Sequence, residues 1–185
     1  MKQVYALDDT ELVRACRDGD ASAQRSLYQR YYRRLYGVCL RYTSSVADAE
    51  DVMQEGFIKV FTHLDQYAGN GSLEGWIRRI MVRTAISWHR KRSKMFFVEI
   101  SDSSPGTTLP PEQLVRLGEQ ELVSLIQQLP AGYRTVFNLY AIEGFNHREI
   151  AAMLEISEGT SKSQYARARA QLRKMMDGGK TATGS

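Results

Sequence analysis

Apolar residues recur at helical spacing along almost the whole chain, and the breaks between the stripes carry helix-start and helix-stop chemistry. Leu12, Val13 and Cys16 form a short stripe, opened by Asp8 with Glu11 three residues on and closed by Gly19; the first pair is a capping-box arrangement. Leu27, Tyr31, Leu35, Val38 and Tyr42 continue as a longer helix that Asp20 can cap, until Thr43 and Ser44 interrupt it. Ser45 with Asp48 makes a second capping box, into a helix with Ala49, Val52, Met53, Gly56, Val60 and Leu64 on its buried line. Gln66 to Gly71 is a loop by composition, and Ser72 caps a helix that turns Trp76, Ile77, Ile80, Met81, Ala85 and Trp88 inward.

From Ser93 to Pro111 the periodicity stops. Ser, Thr, Gly and Pro dominate its second half, whereas Met95 to Ile100 is apolar enough to dock on a surface. Helical pattern resumes at Glu112, Pro130 ends that helix, and Tyr133 to Ile142 makes the next, closed by Gly144. The expectation is an all-α protein of two small helical domains, 8–93 and 112–176, joined by a flexible linker at 94–111 and followed by a disordered tail at 177–185.

Phe145 to Met176 reads as a helix-turn-helix. Asn146 and Glu149 make another capping box, Glu155-Ile156-Ser157 is a short turn, and Ser157 caps the second helix. There Ser161, Tyr165, Ala168 and Leu172 fall on the inward line, while Ser163, Ala166, Arg167 and Lys174 lie opposite, flanked by Lys162, Gln164, Arg169 and Arg173. Small hydrogen-bonding residues near the start of a helix, followed by arginine and lysine, suit a recognition helix in a major groove. An ordinary helical hairpin with a basic face is the plainer alternative.

Charge sharpens the picture. The 185 residues sum to only +4, yet the 12 basic residues between Glu74 and Glu99 and between Glu158 and Asp177 meet no acid in either window. Of the 25 basic residues that leaves 13, against 21 acidic, so the rest of the chain is net negative. Two acid-free stripes on an otherwise acidic chain point to a polyanion partner. Arg79, Arg83 and Arg90 share a face beside the loop Tyr67 to Ser72, a combination of cation and aromatic that suits unstacked bases, although Tyr67 and Trp76 could equally close the core. Asp48, Asp51 and Glu55, with Gln54 beside them, instead make a negative face, either simply solvated or turned to a basic protein partner.

No apolar run approaches the roughly 20 residues that span a bilayer, and Asp8, Asp9 and Glu11 leave no signal-peptide core, so the expected location is cytoplasmic. Cys16 and Cys39 fit neither a disulfide framework nor a metal site and read as small buried hydrophobes. With no HExxH among His63, His89 and His147 and no Gly-rich phosphate loop, neither a metal nor a cofactor is expected, and an enzyme is the least supported class.

Asp48 to Phe61, Trp76-Ile77-Arg78-Arg79-Ile80, Leu129 to Arg134, and the stretch from Glu149-Ile150-Ala151 to Arg167-Ala168-Arg169 together resemble the extracytoplasmic-function (ECF) sigma factors, in order, across residues 9–176. The resemblance implies sigma regions 2 and 4, binding to core RNA polymerase, recognition of the −10 and −35 promoter elements and help in opening the duplex. Carried over by position, it implies polymerase contacts at Asp48, Asp51, Gln54 and Glu55. It implies −10 contacts at Tyr67, Gly69, Asn70, Ser72, Trp76, Arg79 and Arg83, with a flipped base held in the Tyr67 to Ser72 loop. It implies −35 contacts at Thr160, Lys162, Ser163, Gln164, Ala166 and Arg167, and an anti-sigma factor as a further partner. Ser161 stands where the family usually has valine, Gln164 where arginine is frequent, Glu155 at a common turn glycine and Arg83 where asparagine is often found, which bears on the promoter sequence preferred. The competing function is a regulator that binds duplex DNA alone through its C-terminal domain.

Overall fold

The computed structural model describes residues 7–92 and 118–180, and within them the chain is helix and turn throughout. The helices are α1 (Asp9–Arg17), α2 (Ala21–Tyr42), α3 (Val46–Thr62), α4 (Leu73–Arg92), α5 (Glu119–Gln127), α6 (Ala131–Phe137), α7 (His147–Leu154) and α8 (Glu158–Lys180). A 3₁₀ turn, Leu64–Gln66, follows α3, and a π-helical turn, Asn138–Ile142, extends α6. The predicted linker, the apolar stretch Met95 to Ile100 and residues 112–117 lie outside the described residues. Helix α8 runs to Lys180, four residues into the stretch whose composition suggests a tail.

Several boundaries are set by the predicted caps. The Asp8 carboxylate accepts from the Glu11 N–H at 2.8 Å and Glu11 accepts from the Asp8 N–H at 3.3 Å. Asn146 and Glu149 repeat the reciprocal pair at 2.9 and 2.8 Å. Each box satisfies amide groups that a helix start would otherwise leave bare, and replacing such a cap by alanine typically costs about 1 kcal/mol. The Asp20 carboxylate takes the Ser22 and Ala23 N–H groups at the head of α2, and the Ser72 hydroxyl takes that of Gly75 in α4.

Contacts divide the chain into two compact units: Met1–Cys39 with Val46–Ala85, and Leu40–Ser45 with Ile86–Ser185. The first is a helical bundle around Leu12, Leu27, Leu35, Met53, Leu73, Ile77 and Met81, all fully buried. Gly56 lets α3 and α4 meet closely, since a Cβ there would run into the Met81 Sδ and Cε. On α2, Tyr28, Tyr32 and Tyr36 form a half-buried aromatic row, and Phe57 and Phe61 of α3 extend it. Cys16 and Cys39 are free, buried thiols, and burial pushes the Cys16 thiol up from its ordinary value.

The second unit has its own core of Ile126, Leu129, Phe137, Ala168 and Leu172, with Leu122, Leu125, Tyr133 and Ile142 against it. It also holds the segment Leu40–Ser45, at the C-terminal end of α2. The last carbonyls of a helix lack intrahelical donors, and here side chains of the second unit supply them. Leu40 O accepts from Gln127 at 3.0 Å, Arg41 O from Asn138 at 2.7 Å, Tyr42 O from the His89 Nε2, and Thr43 O from Arg134 at 2.9 Å. Arg134 is itself buried and spends a second bond on Gln127 O, at 2.9 Å.

Candidate nucleic-acid interface

In the first unit the loop after the 3₁₀ turn is built from two glycines at positive φ, Gly69 at +77° and Gly71 at +90°, a region that side chains with a Cβ rarely adopt. The Tyr67 hydroxyl donates to Gly71 O at 2.8 Å, and the Tyr67 ring lies 5.6 Å from that of Trp76, tilted by 53°. Ala68, Gly69 and Asn70 stand exposed between these fixed points, while Tyr67 and Trp76 are half-buried. Both aromatic rings therefore have a structural part, yet each keeps surface on which a base could lie. Ser72 is committed to capping α4.

Arg79 and Arg83 are exposed on α4, whereas Ile77, Met81 and Ala85 are buried on its other side. The cations thus sit on the helix that begins where the loop ends. Arg90, also exposed, belongs to the second unit, where it pairs with Glu155 at 2.8 Å.

Helix α3 shows the opposite sign. Asp51 and Gln54 are exposed, Asp48 is half-buried, and Glu55 holds Lys59 at 2.7 Å. Sequence reasoning missed Ile58 on this face. It is 66% exposed, at i+4 from Gln54 and i+7 from Asp51, so an apolar side chain stands among polar ones at the spacing of one helix face. Its period alone places it there, off the buried line of Ala49, Val52, Met53, Gly56 and Val60.

In the second unit, α7 ends on Glu155 in the left-handed conformation, φ 57° and ψ 44°. A non-glycine residue there costs about 1 kcal/mol or more, so the turn has the shape that the glycine of related turns provides, made with a different residue. Ser157 starts α8 by accepting from the Thr160 N–H at 2.9 Å, and the two hydroxyls meet at 2.8 Å. Lys162 and Ser163 are exposed, and Ala166 and Arg167 are half-buried. Lys162 is engaged by Glu158 at 2.7 Å, a hydrogen bond that holds the Glu158 carboxyl below its usual range.

Gln164 does not belong with them. It is 5% exposed and its Oε1 has no hydrogen-bond partner, so this side chain lies within the unit and not on the exposed face with Lys162 and Ser163. Its burial speaks against its place in the expected reading set.

Ser161, on the inward line, is fully buried, and its hydroxyl meets the His147 Nδ1 at 2.9 Å. His147 stacks on Tyr140 with centroids 4.3 Å apart, and Tyr165 closes the group. A buried hydroxyl needs a partner, so a serine in place of valine is explained by the histidine at the head of α7. Burial, reinforced by the nearby Lys162 ammonium and opposed by Glu158, lowers the His147 pKa from 6.5. A depressed folded value means that the unfolded chain binds the proton more readily. The stabilisation is therefore complete above the ordinary histidine value and lost as pH falls through the folded one. An NMR titration of the His147 ring should give a midpoint below 6.5, and His147→Gln should flatten the acid side of the thermal-stability profile. A midpoint above the ordinary value contradicts this.

No helix among the described residues is long and apolar enough to cross a membrane. Residues 27–95 match the family described as Sigma-70 region 2, and residues 119–172 the family described as Sigma-70, region 4. The chain is 34% identical to the ECF RNA polymerase sigma factor SigE of Mycolicibacterium smegmatis over 84% of its own length, and spans 63% of the length of that relative. It is 30% identical to the ECF RNA polymerase sigma factor SigW of Bacillus subtilis, with 89% of this chain and 94% of the relative covered. Among solved structures it resembles the sigma factor RpoE of Bartonella quintana in complex with the anti-sigma factor NepR, at a TM-score of 0.51 and 23% identity over 83% of this chain and 96% of that one, a likeness of fold. With both sigma regions in order and a full-length relative at this identity, the chain belongs to the extracytoplasmic-function sigma factors of RNA polymerase.

Proposed function

We propose that this chain acts in the cytoplasm as a dissociable specificity subunit, with no catalytic role of its own. It binds core RNA polymerase through the exposed face of α3, anchors upstream duplex with α8, and captures bases of the −10 non-template strand at the Tyr67 to Ser72 loop. Arg79 and Arg83 hold the strand beside that loop. The observation that carries the reading is the sorting of charge within the first unit. Arg79 and Arg83 are exposed on α4, while Asp51 and Gln54 are exposed on α3. DNA alone would repel the second face, and a basic protein surface would use it. Phosphate contacts by the cations position the chain, and base contacts specify the site.

The −35 contacts are assigned to Lys162, Ser163, Ala166 and Arg167, with Thr160 at the phosphate nearest the start of α8. Gln164→Ala should leave the order of preferred −35 sequences unchanged, as read from a promoter library. A changed preference at any −35 position would return Gln164 to the reading set. An anti-sigma factor is a further expected partner, supported by the complex in which the Bartonella sigma factor was solved.

In vitro transcription with core polymerase on a promoter library, read by start site, tests the whole reading. Start sites that share a −35 and a −10 sequence are expected. Binding of the free chain to duplex sites, with no transcription when core polymerase is added, would favour the stand-alone regulator.

A further inference from the structure

Arg17, the last residue of α1, reaches across the first unit to the 3₁₀ turn and the loop beyond it. Its Nη2 donates to Leu64 O at 2.9 Å, to Asp65 O at 3.4 Å and to Tyr67 O at 2.6 Å, and its Nε donates to Leu64 O at 3.3 Å. A weaker ion pair joins Nε to the Asp65 carboxylate at 3.6 Å, with that carboxylate 88% exposed. Three carbonyls thus converge on one guanidinium. Leu64 O already takes the Tyr67 N–H at 3.1 Å within the turn, and the guanidinium adds donors to it and to the carbonyls of Asp65 and Tyr67. The planar fork of arginine can serve several acceptors at once, whereas the lysine ammonium is a point charge on a flexible stem.

Position decides what this clamp does. Tyr67, whose carbonyl takes the shortest of the four bonds, is the same residue whose hydroxyl holds Gly71 O and whose ring lies on Trp76. Arg17 fixes the backbone of Tyr67, and Tyr67 closes the loop. Ala68, Gly69 and Asn70, the exposed residues between, are held at both ends while two glycines supply the unusual backbone. A loop already in its bound shape saves the ordering entropy that a mobile one would lose on binding.

We infer that Arg17 is the positioning residue of the base-capture loop, which it preorganises from α1 through the carbonyls of Leu64, Asp65 and Tyr67. This rests on the base-capture reading above. Arg17 itself touches no base; it acts through Tyr67.

The test uses holoenzyme and a single-stranded −10 non-template oligonucleotide, scanned with an abasic site at each position. Wild type should show one position at which losing the base weakens binding most; this is the captured base. Arg17→Ala should weaken binding to the intact oligonucleotide about tenfold and lose nothing more at that abasic position, while affinity for core polymerase and for −35 duplex stays at the wild-type level. Arg17→Lys should recover part of the loss, and it serves as the milder variant if alanine impairs folding. Asp65→Asn, which removes only the exposed ion pair, should behave as wild type. If Arg17→Ala and Arg17→Lys keep the wild-type ratio of intact to abasic binding, or if Asp65→Asn reproduces the loss, the clamp does not position the loop. A wild type indifferent to every abasic position would overturn base capture, and the inference with it.

Discussion

Asp51→Lys combined with Glu55→Lys is expected to weaken binding to core RNA polymerase at least about a hundredfold, since like charges brought together across an interface cost several kcal/mol. The two positions are not equivalent. Asp51 is exposed, whereas Glu55 already holds Lys59 at 2.7 Å, so part of its charge is spent within the helix. Reversing Glu55 alone would also set two lysines four residues apart, a local cost of about 0.2–0.5 kcal/mol that circular dichroism of the free chain would register as a small loss of stability. Asp51 should therefore carry most of the interface effect. A fluorescence-anisotropy titration of labelled chain with core polymerase measures it, and binding at the wild-type level would refute the assignment of α3 to polymerase.

At the other interface, Arg167→Ala should cost about 1–3 kcal/mol of −35 binding if the guanidinium reads a base, and should relax preference at one position of the site. A uniform loss over all promoters, with a shallower salt dependence, would assign it to a phosphate. Arg167 is half-buried, which limits the directions it can take and favours one defined contact over a diffuse one. Measurement of the holoenzyme on a −35 library at two salt concentrations separates the two outcomes.

Much of the architecture was legible because its causes are local. The capping boxes at Asp8 and Asn146, the Ser72 and Ser157 caps and the loop glycines act within a few residues of the backbone they satisfy, so residue type at fixed spacing suffices to find them. The face of α8 was harder. Positions 161, 164, 168 and 172 recur at i, i+3, i+7 and i+11, which places Gln164 on the buried line by period alone; its polarity argued for the outward face, and burial prevailed. Ser161 poses the same problem: its period places it inward, but its partner His147 comes from another helix. Arg17 left no signal at all, because the carbonyls it holds lie 47 to 50 residues away and every arginine at the end of a helix looks alike in sequence.

The carbonyls at the end of α2 have a consequence for biosynthesis. Their donors Gln127, Arg134 and Asn138 follow them in the chain by 87, 91 and 97 residues. At synthesis rates of about 5–20 residues per second, Leu40 O, Arg41 O and Thr43 O emerge from the ribosome roughly 5–20 s before those donors do. Over that interval water must serve them, and the final turn of α2 can fray in the nascent chain while the rest of the helix already has its neighbours in the first unit. Translation speed through the stretch between Thr43 and Asn138 thus sets how long an unfinished helix end is exposed to the cell.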